Sequence, residues 1–129
     1  MPLNSKSQNT QKQIVLTSDI HGIQESWQKD NSNNDIPVNI ILANRLKSGI
    51  VWVHCATQAT KAMTNGWSYW LGSMPITFKP GLNIYRHLTP LGEVQIVSNS
   101  STEKPAITFI PTREIAVGTQ VCFDIVYFS

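Results

Sequence analysis

Asp19 and His21, a carboxylate and an imidazole, stand one residue apart shortly after the apolar run Ile14-Val15-Leu16. A second oxygen-rich stretch, Asp30-Asn-Ser-Asn-Asn-Asp35, sets short oxygen side chains at alternate positions, which suits Ca2+ and makes Asp30 and Asp35 candidate metal ligands. The spacing is not that of an EF-hand: Asp35 occupies the slot that needs glycine, and Ile41 the slot that needs a bidentate glutamate. An ordinary Asn-rich loop is the plainer reading. His54 and Cys55 are sequence neighbours, and neighbours on a strand point to opposite faces, so they cannot form a thiolate-imidazole pair. The apolar surroundings of Cys122 predict an inert core thiol. No GxSxG elbow, phosphate-cradling glycine loop or HExxH helix occurs. No catalytic set is expected.

The string Ile14-Val15-Leu16-Thr17-Ser18-Asp19-Ile20-His21-Gly22 resembles the first motif of calcineurin-like metallophosphoesterases. That resemblance implies metal ligation by Asp19 and His21 and water activated against a phosphate. The remaining elements of that family, a GD pair, a GNH[DE] string and a GHxH pair, are missing, and the only other histidines are His54 and His87. The string is therefore read as a strand followed by a turn, with phosphoester hydrolysis kept as a remote alternative.

The elements that must position any site are strands. The chain has 129 residues, 41% hydrophobic and only 14% charged, against roughly 25% charged in average globular domains. Ile and Val outnumber Leu and Ala, a bias towards β-branched side chains that suit strands. Strand-length apolar runs recur at residues 13–17, 38–43, 50–55, 67–71, 76–79, 82–86, 93–98, 106–110 and 120–128. Turn chemistry separates them, at Asn65-Gly66, Lys79-Pro80-Gly81 and Thr89-Pro90-Leu91-Gly92, and across residues 99–105 and 111–118. The expectation is an all-β fold: an antiparallel β-sandwich or jelly-roll-like barrel of eight or nine short strands, with at most one or two short helices. Residues 1–12 read as a tail or linker and residues 13–129 as a single domain, with the features of the last domain of a longer polypeptide. Helical spacing is possible at Ile23 to Lys29 and at Cys55 to Met63, and a short helix or a long surface loop fits each. In residues 120–128 both faces are largely apolar, so this strand is expected to be central or contact-forming.

Ten Lys and Arg against eight Asp and Glu leave a net charge of +2, with the cations scattered. Phosphate backbones need several cations on one face, so nucleic acid is not an expected partner. No run approaches the 18–20 apolar residues that span a bilayer, and no membrane insertion is expected. Two cysteines are too few for a cystine-stapled domain, and two buried free thiols are the favoured reading. Asn99-Ser100-Ser101 fits a glycosylation sequon, a triplet that arises often by chance.

Four tryptophans exceed what the interior of a small sandwich needs. Trp67 and Tyr69 alternate on one face of their strand, with Trp70 on the other, while Trp52 and His54 share a face opposite Val51 and Val53. Trp27 lies in a polar segment and is the first choice for a surface aromatic. Trp27, Trp67, Tyr69 and Trp70 are the candidate binding residues. Flat rings beside amides and hydroxyls suit sugars and protein interfaces.

The pattern of GWSYWLGSMPITFKPGLNIY and the closing GTQVCFDIVYF resembles the C-terminal protruding domains of small RNA-virus capsid proteins. The resemblance implies a non-enzymatic capsid surface module, displayed on the virion. Such a module self-associates into dimers or trimers and attaches to a host receptor protein or glycan. A lectin or adhesin-like carbohydrate-binding sandwich, including a phage or fibre head, is the alternative. No cofactor is expected beyond the Ca2+ candidate.

Overall fold

The computed structural model describes residues 22–29, 36–100 and 102–129. Among them, eight strands form two four-stranded antiparallel sheets. The first sheet contains β1 (Ile23–Lys29), β2 (Ile41–Leu46), β3 (Ile50–Gln58) and β8 (Gln120–Phe128), in the order β1-β2-β3-β8. The second contains β4 (Tyr69–Ser73), β5 (Ile84–Leu88), β6 (Gly92–Val97) and β7 (Ala106–Pro111), in the order β4-β7-β6-β5. In that second sheet three hairpin-connected strands return the chain beside β4, a Greek key. The sheets form a sandwich and no closed barrel, which narrows the sequence expectation.

Alternation dictates which side chains lie between the sheets. Along β8, Val121, Phe123, Ile125 and Tyr127 are buried while the intervening residues are exposed. Val51, Val53 and Cys55 of β3 and Ile41 and Ala43 of β2 complete the inner face of the first sheet. Leu71, Val94, Ile96, Ile107 and Phe109 oppose them from the second. Tyr127 of β8 stacks on Tyr85 of β5 with centroids 5.5 Å apart, and its hydroxyl donates to the Phe78 carbonyl at 2.7 Å. Trp27 and Lys29 of β1 lie against Gly72 of β4. The β8 and β5 edges therefore share one side of the sandwich, and β1 and β4 the other.

Several local expectations are corrected. Ile23–Lys29 is a strand rather than a short helix or a surface loop, pairing antiparallel with β2 from Ile23↔Leu46 to Lys29↔Ile41. Its inward positions include Lys29, whose buried stem runs over Gly72 while Nζ donates to the Val38 carbonyl at 3.4 Å. A lysine used as an apolar stem hides the two-residue period. Of the short helix or long loop allowed from Cys55 to Met63, the helix is absent: β3 continues to Gln58, and Met63 then forms a bridge with Ile115. Ile76–Phe78 is a single 3-10 turn where a strand was expected. Among the described residues β8 pairs only with β3 and lies at an edge, so of the two expectations for this strand, central or contact-forming, the first does not hold. Residues 13–17, Asp19, His21 and Ser101 of the sequon lie outside the described residues. No helix of the described residues is long and apolar enough to cross a membrane.

Candidate functional site

The outer face of the first sheet carries the densest grouping of recognition chemistry. Two cross-strand rows run over it. Ser26, Asn44, Trp52 and Val126 are successive register partners across β1, β2, β3 and β8, and Gln28, Leu42, His54 and Asp124 form the next row. Residues two apart on a strand share a face, so the rows lie side by side.

Asp124 ties the rows together. Its Oδ1 accepts a hydrogen bond from Trp52 Nε1 at 3.0 Å and lies 2.7 Å from His54 Nδ1. The bond from His54 holds the Asp124 carboxyl below the usual carboxylate range; desolvation opposes it, and the bond from Trp52 adds a lesser lowering. The Trp52 and His54 rings stand 6.1 Å apart at 52°. Trp52 is 45% exposed, so a large part of an indole whose orientation is fixed faces solvent. With a proton on Nδ1, His54 presents Nε2 as an acceptor when neutral and as a donor when charged. Beside them Ser26 Oγ donates to Asn44 Oδ1 at 2.7 Å, which turns the Asn44 amide group into an outward donor. A shallow depression of about 270 Å³ lies next to these groups, lined by Ser26, Gln28, Leu42 and Asn44 among others.

The arrangement offers a fixed aromatic edge, a carboxylate, an imidazole, an amide and a hydroxyl on a flat surface. Such a set can stack on an apolar ring face and satisfy hydroxyl groups around it. His54 and Asp124 form an acid-base pair, but the thiol on this face, Cys122, is opposite Ala56 rather than His54. Cys122 is exposed, which corrects the expectation of two buried thiols and of a core position for this one; Cys55 is buried. Both are free and extend from opposite faces of the sheet. Burial pushes the Cys55 thiol up to about 12.

The aromatics selected from sequence are dispersed. Trp67 is 64% exposed in the turn before β4, and its backbone N–H donates to the Thr64 carbonyl at 3.2 Å. Trp70 is exposed on β4, opposite Thr108 of β7. Tyr69 is half-buried against the core, and its hydroxyl accepts from the Thr64 N–H at 2.7 Å. Trp27, expected at the surface, is half-buried against the core instead. Asp30 and Asp35 lie outside the described residues. Among the described residues no group of three or more His, Cys, Asp or Glu is placed to hold a metal ion. Asp124 and Asn44 escaped the sequence reading because only the register across β2, β3 and β8 makes them neighbours of Trp52. The one available signal was Asp124 itself, the only charge in an otherwise uncharged strand.

A second concavity, about 470 Å³ and almost wholly apolar, opens where β8 ends beside β5. Ile50, Leu82, Ile84, Val126 and Phe128 are among its lining residues. Leu82 is 86% and Phe128 71% exposed.

No family model matches the chain, and neither a curated protein nor a solved structure matches it.

Proposed function

We propose that the protein is a non-enzymatic recognition module that self-associates and attaches to a host receptor or glycan, in the manner of a capsid protruding domain at the virion surface. The observation that carries the attachment half is the Trp52-Asp124-His54 cluster on the outer face of the first sheet. Its indole is oriented before any ligand arrives, so less ordering entropy opposes binding. The flanking Ser26, Gln28 and Asn44 are neutral hydrogen-bonding groups, which suit sugar hydroxyls better than phosphate. The capsid setting is supported by the strand pattern of the sequence together with the two-sheet architecture. A glycan array probed with the wild-type protein and with Trp52→Ala tests the attachment site. Saccharides retained by the wild type and lost by the variant are expected; hits that survive in the variant would move the site elsewhere, and an array with no hits would remove the glycan as ligand.

A further inference from the structure

We propose that the edge of β8 left unpaired among the described residues is the self-association surface, pairing antiparallel with β8 of a second copy to make one continuous eight-stranded sheet. The inference rests on the self-association contained in the reading above.

Among the described residues the sandwich has four edge strands, and they differ in how they are protected. The register of β1 shifts between Ile23 and Glu25, and that of β4 between Trp70 and Gly72. β5 is five residues long with Arg86 at its middle. β8 has no register shift and is not short, and its one charge, Asp124, is engaged by Trp52 and His54 on the outer face of the sheet. It is nine residues long, contains no Pro, Lys or Arg, and pairs with β3 without a shift from Ile50↔Phe128 to Gln58↔Gln120. Long, flat, apolar edges present unpaired backbone groups to any matching strand, and proteins otherwise blunt them with charge, proline or bulges.

The backbone groups available on this edge can be assigned. Ser129 N–H donates to the Gly49 carbonyl at 2.9 Å, towards β3, while the Phe128 carbonyl faces the other way and accepts from Gly81 N–H at 3.0 Å. By alternation, Val126, Asp124 and Cys122 also direct N–H and C=O away from β3. The Gly81 contact closes the edge at Phe128, which leaves Gln120 to Val126 for a partner.

Charge then selects the register. Asp124 is the only charged group on the strand, so a two-fold axis at Asp124 would oppose two carboxylates. An axis at Phe123 pairs all of Gln120 to Val126 and sets Asp124 opposite the partner's Cys122. The same strand then serves both sides of the contact, as a two-fold interface requires.

Sedimentation across micromolar to millimolar protein, combined with amide hydrogen exchange, tests the inference. A wild-type dimer is expected, with the Cys122, Asp124 and Val126 amides protected in it. Cys122→Pro removes an N–H that β3 does not use, and Val126→Lys places a cation on the edge; either is expected to give a folded monomer. A dimer in which those three amides exchange freely, or which persists in a folded variant, would overturn edge pairing while leaving self-association in place. A wild-type monomer at every concentration would overturn both, and glycan binding is read separately by the array.

Discussion

Nδ1 of His54 on β3 lies 2.7 Å from Oδ1 of Asp124 on β8, and the two residues are direct partners in the strand register. The pair is neither accidental in geometry nor large in energy. Facing residues of a narrow antiparallel pair bring their side chains close, and an exposed pair of this kind contributes up to about 1 kcal/mol. Its consequence is orientation: the same oxygen that meets His54 also holds the Trp52 indole.

Acid should release that indole only well into the acidic range. Because Asp124 titrates lower in the folded chain than in the unfolded one, its contribution is complete above the ordinary carboxylate value of about 4 and is lost as pH falls through the folded value. A Trp52 fluorescence transition with a midpoint below about 4 is expected in the wild type, and none at that position in Asp124→Asn. A midpoint at or above 4 would contradict the hydrogen-bonded carboxylate.

Thiol chemistry should divide the two cysteines. Cys122 is exposed on the outer face, whereas Cys55 is buried and its thiol is held protonated by that burial. Native protein is expected to react with a disulfide reagent at one equivalent, abolished by Cys122→Ser, with the second equivalent released only by denaturant. Rapid labelling of two thiols in native protein would place Cys55 outside the core.

Gly92 should not tolerate a side chain. A Cβ at this position would lie 2.5 Å from the Ile110 carbonyl oxygen, 2.8 Å from Pro111 Cα and 2.9 Å from the Phe109 ring. Two of these obstacles are backbone, so the β6 to β7 pairing must separate to make room. Gly92→Ala is expected to cost about 3 kcal/mol, at the upper end of ordinary overpacking, read as a lowered denaturant midpoint at unchanged slope. A loss below about 1 kcal/mol would mean that the hairpin absorbs the strain.

How much of this was legible in the sequence differs between strands. Gln120 to Phe128 was delimited correctly because its apolar residues alternate without interruption, and Ala106 to Ile110 nearly so. Ile23 to Lys29 was misread because an edge strand with Lys29 on its inward side has no apolar period to find. Cys55 to Gln58 was misread because Ala56 and Ala59 mimic helical spacing, whereas pairing with β8 extends the strand through Gln58↔Gln120. For the site, the tryptophan surplus correctly implied exposed rings, but Trp27 was the wrong first choice. Partners such as Trp52 and Asp124 are 72 positions apart. Only the register joins them.

That register has a further consequence. β3 and β8 supply the core through Val51, Val53, Phe123 and Ile125, and the site through the residues between them. Sliding either strand by one position would send the core side chains into water and turn Trp52, His54 and Asp124 inward. The recognition face and the interior are thus two readings of one alignment, and a molecule that displays the site has, by that fact, assembled its core correctly.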